Sequence, residues 1–551
     1  MKPPLPKPLE ITEVNWLPIA RSFIERIELQ STIDRLVPNE MRISVSQVVT
    51  GLVLDALSGR TPLFRLQDSL TEQTAEVLLG QAVAAGTFAD HNVGRVLDKL
   101  FEAGTSKIFS EIAQKAVQVF EIDPSHVHAD TTSVSLYGDY DCIEPPFRIE
   151  HGHSKDKRPD LKQFIVSLLC VEGNIPIFCK HEDGAASDKT INNRLLTDIS
   201  SHMARHGLGE GAFVYIADSA LITGPNLEKM ANTLYLSRLP ANFSECGRVI
   251  REAVEANRWS EIGTLNESIA STKRPAAYYR AYESTVTIEG KAYRAVVIHS
   301  SAHDKRRHKR IDRAVEKERK ELEKLARDVR ATPFYCRPDA EKEADRLSRL
   351  GTYHRVRAEI TEIPRFGRGR PAKDQPRVPS RIEYGVTLRI EEDPEKLKGP
   401  RMEAGCFVLI TNIPEAHEEI GPAEGLMRLY KEQIGIERDF GFLKDPAIVN
   451  AIFLKNPSRI EALGLILVIA LLIWRLIERT LRQYVNETGK TLPGWDGKRT
   501  DRPTSFMMTT KFVKVFVCKI DGQRTLGQPL TSQQLEYLKA LGLTPRVFTD
   551  P

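Results

Sequence analysis

The chain is poor in the residues that most often announce a site. Its 551 residues include seven cysteines, an odd number with no CxxC pair. That argues against a disulfide framework and a cysteine zinc site, and it fits a reducing compartment. No glycine-rich loop followed by a lysine occurs, so nucleotide hydrolysis is not implied. Charge of one sign is scarce too: 78 basic against 74 acidic residues leave +4, and any attraction to nucleic acid has to be local. The opening residues, MKPPLPKPLEITEV, have no apolar signal core. The most apolar run, Ala462 to Trp474, is 13 residues long and closed by charged neighbours, too short to span a bilayer. It reads as a buried core helix. The expectation is a cytoplasmic protein without a membrane segment, and no internal repeat stands out.

What is present is ordinary for a multidomain α/β chain, with 41% hydrophobic and 28% charged residues. Residues 1–13 hold four prolines and read as a flexible arm. Residues 14–122 follow a helical pattern throughout and are expected to form an all-helical N-terminal domain. Ser44 or Ser46 can cap one helix ending at Gly59, and Asp90 can cap another ending at Gly104. This domain is either a scaffold or a DNA-binding module. At Pro124 the pattern changes: His126 to Leu136 is a β-branched strand carrying Asp130, followed by the basic loop HGHSKDKRPD. Strands at Lys162 to Val171 and Ile175 to Cys179 turn across Gly173-Asn174. Asp188 reads as the cap of the helix that follows it, and the strand AFVYIA delivers Asp218 at its end.

Residues 241–404 interrupt this alternation with a β-rich insert, hairpin strands first and then a charged helix. Residues 305–330 contain 12 Lys or Arg against 6 Asp or Glu. Such a run is either a solvated helix laced with ion pairs or a phosphate-facing surface. Within the insert, GRGRP can lay Arg368 and Arg370 in an A·T-rich minor groove, or it is a basic loop. The core pattern resumes over residues 405–485, and 486–551 form a C-terminal extension.

The stretch LYKEQIGIERDFGFLKD, Leu429 to Asp445, reads as one helix. Tyr430, Gln433, Glu437 and Lys444 share a polar stripe, while Ile436, Phe440 and Leu443 share an apolar one that docks on a core. A carboxylate, a phenol and an ammonium along one stripe suit a phosphodiester with a divalent cation, although an ordinary surface helix carries the same residues. Asp130 mid-strand and Asp218 at a strand end sit where a sheet can set them side by side, amid apolar neighbours that make unpaired charge costly. Three such carboxylates can hold two Mg²⁺ ions for in-line phosphoryl transfer.

On these residues the chain resembles the DDE transposases of bacterial insertion sequences, in the group whose last helix bears a tyrosine, arginine, glutamate, lysine signature. Tyr430, Glu437 and Lys444 match that signature; Gln433 stands where arginine is usual. The segments HADTTS, HGHSKDKRPDL, ADSAL and LITN are also similar to the long transposases with a helical N-terminal domain. The resemblance implies a ribonuclease-H-like catalytic core interrupted by the insert. It also implies metal-dependent cleavage at the ends of an insertion sequence and 3′-OH strand transfer into target DNA. Asp130, Asp218 and Glu437 are then the catalytic and metal-holding residues, with two Mg²⁺ ions for which Mn²⁺ can substitute. Tyr430 and Lys444 position phosphates, and Lys155, Lys157 and Arg158 either grip DNA beside the site or form a solvated loop. The partners implied are the element's terminal inverted repeats, target DNA and a second copy of the chain in the synaptic complex. Replacing the arginine by Gln433 removes a charge-assisted contact of about 1.5–3 kcal/mol. The alternative is therefore a transposase-derived DNA-binding protein with weak or no catalysis.

Overall fold

The computed structural model describes residues 9–550 apart from 60, 62, 142–145, 210, 266–275, 369–376, 445–453 and 521. Arg370 and Asp445, both singled out above, lie outside the described residues. The chain divides into two compact units. The first comprises Met1–Ser237, Asn412–Ile420 and Gly425–Pro551, and the second Arg238–Thr411 and Gly421–Glu424. The interruption read at 241–404 falls inside the second.

In the first unit, strand β1 (Glu10–Glu13) lies where a flexible arm was expected. It pairs antiparallel with Phe516–Ile520, which in turn pairs with Gln523–Leu526. Ile11 and Glu13 are placed opposite Cys518 and Phe516, so the segment is held by backbone hydrogen bonds despite its proline-rich approach. The main sheet of this unit is built from β2 (His126–Leu136), β3 (Lys162–Val171), β4 (Ile175–Glu182), β5 (Val214–Ala217) and β6 (Leu234–Arg238), in the order β4-β3-β2-β5-β6. β3 runs antiparallel to both β2 and β4, whereas β2, β5 and β6 run parallel. The β3–β4 turn needs two left-handed residues, and Gly173 (φ 71°) and Asn174 (φ 61°) supply them. β3 is buried almost end to end and β2 nearly so, the mark of a sheet covered on both faces.

The helix Pro457–Thr488 runs through the core of this unit. Asn456 caps it, Pro457 starts it, and Gly489 (φ 67°) ends it. At 32 residues it is far longer than the 13-residue apolar run, and it has the length and composition to cross a membrane. Burial decides otherwise, because most of that apolar stretch is inside the protein. Helices Leu17–Arg26, Val45–Ser58, Asp90–Ala103 and Thr105–Val119 pack on it. The N-terminal helices expected to stand apart thus share one core with the sheet. Polar locks reinforce the packing: Arg459 donates to both carboxylate oxygens of Asp98 at 2.7 Å, and Thr105 donates to Glu461 at 2.5 Å. Ser44 caps Val45–Ser58 as expected, but Ala89 takes the capping position before Asp90. Asp90 therefore contributes charge to the first turn and no capping hydrogen bond.

The second unit contains β7 (Ser260–Thr264), β8 (Tyr278–Ile288), β9 (Lys291–Ser300), β10 (His354–Arg365), β11 (Arg381–Glu392) and β12 (Cys406–Thr411). Within it β12, β9, β8 and β7 are neighbours in that order and antiparallel, and β10 and β11 form a separate ribbon. The β8–β9 hairpin turns on Glu289 and Gly290, both at positive φ. The charged run is the helix Ser301–Ala331, capped by Ser300. Val315 and Leu322 are its buried residues, and Glu316 and Glu321 pair with neighbouring bases along it, which favours the solvated reading for that half. Helices Ser244–Ala256, Arg337–Ser348 and Pro394–Met402 escaped the sequence reading.

Candidate active site

Parallel pairing of β2 with β5 sets Ala129 opposite Ala217, so the next residues, Asp130 and Asp218, emerge side by side. Each leans on local backbone: Thr131 N–H donates to Asp130 at 2.7 Å, and Ala220 N–H donates to Asp218 at 3.0 Å. Ser237 donates to the Asp218 carbonyl at 2.8 Å, tying the strand end to β6. Two further groups complete the cluster. Asp188, the first residue of helix Asp188–Arg205, accepts from the Thr131 hydroxyl at 2.6 Å. Lys155 reaches in from the basic loop; its ammonium donates to the Thr131 carbonyl at 2.8 Å and lies 3.3 Å from the Asp188 carboxylate.

Burial raises Asp130 to about 6, with Asp218 and Asp188 adding to the rise and Lys155 and the Thr131 N–H opposing it. Asp218 is raised for the same first reason, with Asp188 adding and the Ala220 N–H and Lys155 opposing. Two partly desolvated carboxylates, Asp130 and Asp218, therefore lie near Asp188 and the Lys155 ammonium, and oxygen donors of that kind suit a hard cation.

The basic loop is anchored from beneath. Gln163 donates to the Gly184 carbonyl at 2.7 Å and to the His153 carbonyl at 3.3 Å. A Cβ at Gly184 would lie 2.0 Å from the Gln163 carbonyl oxygen, and one at Gly152 would lie 2.1 Å from the Gly184 carbonyl oxygen. Backbone is the obstacle in both cases, so Gly184→Ala is expected to lower stability by about 1–3 kcal/mol. It should also release Lys155 from the acids, read as a fall in Tm together with faster proteolysis near residue 155; an unchanged Tm would contradict the packing. Arg158 pairs with Asp160 at 2.7 Å and lies near the Tyr137 ring, and Lys157 is exposed at φ 60°. Arg368 is exposed in the second unit, after β10.

The stretch expected to be one helix is two. Ala423–Glu432 and Ile434–Leu443 meet at Gln433, where Gln433 N–H bonds to Tyr430 and Ile436 N–H to Gln433, each three residues back. Gln433 keeps helical torsion angles, so this is a tightened turn and not a reversal. Just beyond, Gly435 packs so closely on Asn174 that a Cβ would overlap its side chain. Ile436, Phe440 and Leu443 are buried as their spacing implied, and Glu437 is exposed on the opposite side. Lys444 pairs with Asp156 of the basic loop at 2.7 Å. Tyr430 is half-buried, and Glu432 lies 3.4 Å from buried His128, two residues before Asp130 on the same strand. Among the described residues no three His, Cys, Asp or Glu side chains converge as a formed metal site. The structure thus brings together Asp130 and Asp218 with Lys155, and it leaves Glu437 outside a three-donor cluster.

Two participants were missed or misread in the sequence. Asp188 was read as a helix cap, but Ser187 caps that helix and leaves Asp188 for the site. Asp439, a carboxylate on the apolar stripe, is fully buried and accepts from Arg475 at 2.5 Å. Arg475 in turn donates to Glu478, which also accepts from Arg482. Residues 9–114 match a domain of unknown function, DUF4277, which is found in transposase-like proteins. No curated protein matches the chain.

Proposed function

We propose that the protein is a DDE-type DNA transposase that cleaves the ends of an insertion sequence and transfers the 3′-OH into target DNA. The observation that carries this reading is the pair Asp130 and Asp218, set side by side on parallel strands in a setting that resists their charge. Three antiparallel strands followed by two parallel ones support a ribonuclease-H-like core around that pair, and the match of residues 9–114 is consistent with it. The donor set fits a hard divalent ion: carboxylate oxygens on neighbouring strands, with Asp188 close by. When bound, Mg²⁺ or Mn²⁺ supplies Lewis-acid stabilisation of the attacking and leaving oxygens. Asp130 and Asp218 would hold it, with Glu437 as the third acid. Lys155 balances the acids in the meantime, and Tyr430 and Lys444 orient the strand's phosphates.

A second reading, a transposase-derived DNA-binding protein with weak or no catalysis, is favoured by Glu437 standing outside a three-donor cluster and by Gln433 in the arginine position. The deciding experiment uses a plasmid carrying both flanks of the reading frame, with wild type and Glu437→Ala, in Mg²⁺ and then in chelator, resolved on a denaturing gel. Cuts at the repeat tips by wild type with Mg²⁺ alone are the expected result. Saturable end-binding with no cutting in either condition would move the second reading ahead, and cutting without end preference would replace both with a general nuclease.

A further inference from the structure

The second unit holds a cavity of about 430 Å³ that the reading above does not use. Arg238, Arg307 and Arg310 all line it. On the helix Ser301–Ala331, Arg307, Arg310, Ile311 and Ala314 follow one another at helical spacing, so the lining is one continuous face of that helix. Arg238 lies over the Phe407 ring at 5.1 Å, its charge met by a π face. Among the described residues, neither the Arg307 nor the Arg310 side chain has an ion-pair or hydrogen-bond partner. Farther along the same helix, Lys317, Arg319 and Lys320 are all paired. Among the lining residues the one acid is Glu403, which lies 3.9 Å from Arg251. The positive field reaches His303, which burial first, and then Arg238, Arg307 and Arg306, hold below its ordinary value.

Three guanidinium groups around one opening repel one another unless an anion joins them, and their planar forks suit the oxygens of a phosphate. The volume falls in the range of small-molecule sites, roughly 300–1,000 Å³. We propose that this cavity binds a phosphate group, carried either by a DNA strand or by a free nucleotide, with Arg307 and Arg310 as its main contacts. The proposal does not depend on the carboxylates cutting DNA.

The test titrates the full chain, with chelator present, with ADP by calorimetry and with an arbitrary 20-base-pair duplex by fluorescence anisotropy. Wild type is compared with the double variant Arg307→Gln, Arg310→Gln, whose sites are partly or fully exposed and compatible with folding. The expected result is saturable binding of at least one probe, weakened about tenfold or more in the double variant. Loss confined to ADP assigns a free nucleotide; loss confined to the duplex assigns a strand phosphate. If neither probe saturates, or the variant binds both as wild type does, the proposal is overturned. Chelator keeps cleavage out of these titrations, and end-cleavage of the plasmid is scored separately, so failure of the pocket and failure of the catalytic reading separate.

Discussion

Asp218→Asn is expected to bind element ends as wild type does and to cut them slower by a factor on the order of 10³ or more, because a neutral amide cannot hold a divalent ion against a developing oxyanion. Cleavage at wild-type rate would end the transposase assignment. Asp130 adds a pH signature. Its folded-state value is raised to about 6, so below that pH a proton competes with any cation for its oxygens. At limiting Mg²⁺, cleavage should therefore rise through about pH 6 and level off above it, and saturating Mg²⁺ should move the rise to lower pH. The stability effect has the opposite sign. A carboxylate raised on folding takes up a proton in the native state that the unfolded chain does not, between its unfolded value near 4 and about 6. Acidifying from pH 7 to 4.5 thus stabilises the fold through this group, and Asp130→Asn should be more stable than wild type at pH 8 by about 1–3 kcal/mol. A variant less stable than wild type at pH 8 would mean that the acid cluster is not under strain.

Arg475→Ala should be the most damaging single change to stability, at about 3–5 kcal/mol, since it strands the Asp439 carboxylate in the interior. Burial works against the Arg475 charge, but Asp439 and Glu478 outweigh it and raise its affinity for the proton. Asp439 and Arg475 are almost inaccessible, and their bond clamps the helix bearing Glu437 onto the central helix. Replacing both, Asp439→Leu with Arg475→Met, should recover most of the loss. Glu478 keeps Arg482 as a partner at 2.7 Å, and an apolar pair of similar volume needs no desolvation. Chemical denaturation of the two singles and the double gives the coupling directly. A single variant costing under 1 kcal/mol would show that water reaches the pair.

The local elements were largely legible. The bounds of β2 and β3 follow from β-branched, apolar runs, and the capping of Val45–Ser58 from Ser44 and Gly59. What escaped was set by partners distant in the chain. Asp188 has the sequence context of any acid at a helix start; its place in the site depends on Thr131, 57 residues earlier. The break at Gln433 is invisible in a continuous helical period, because Asn174 meets Gly435 there only in the folded chain. Asp439 was hidden for a related reason: an acid on an apolar stripe breaks the pattern, and Arg475 resolves the conflict from another helix. The N-terminal helices read as self-sufficient because their apolar stripes do not reveal which surface they face.

That shared surface carries a schedule. The helices Leu17–Arg26, Val45–Ser58, Asp90–Ala103 and Thr105–Val119 lean on a helix that begins at Pro457, and β1 waits for a strand that begins at Phe516. At a synthesis rate of roughly 5–20 residues per second, these segments stay without their partners for tens of seconds. During that interval their apolar faces are open to chaperones and to neighbouring nascent chains. A chain that stops before residue 457 lacks the helix on which those apolar faces close.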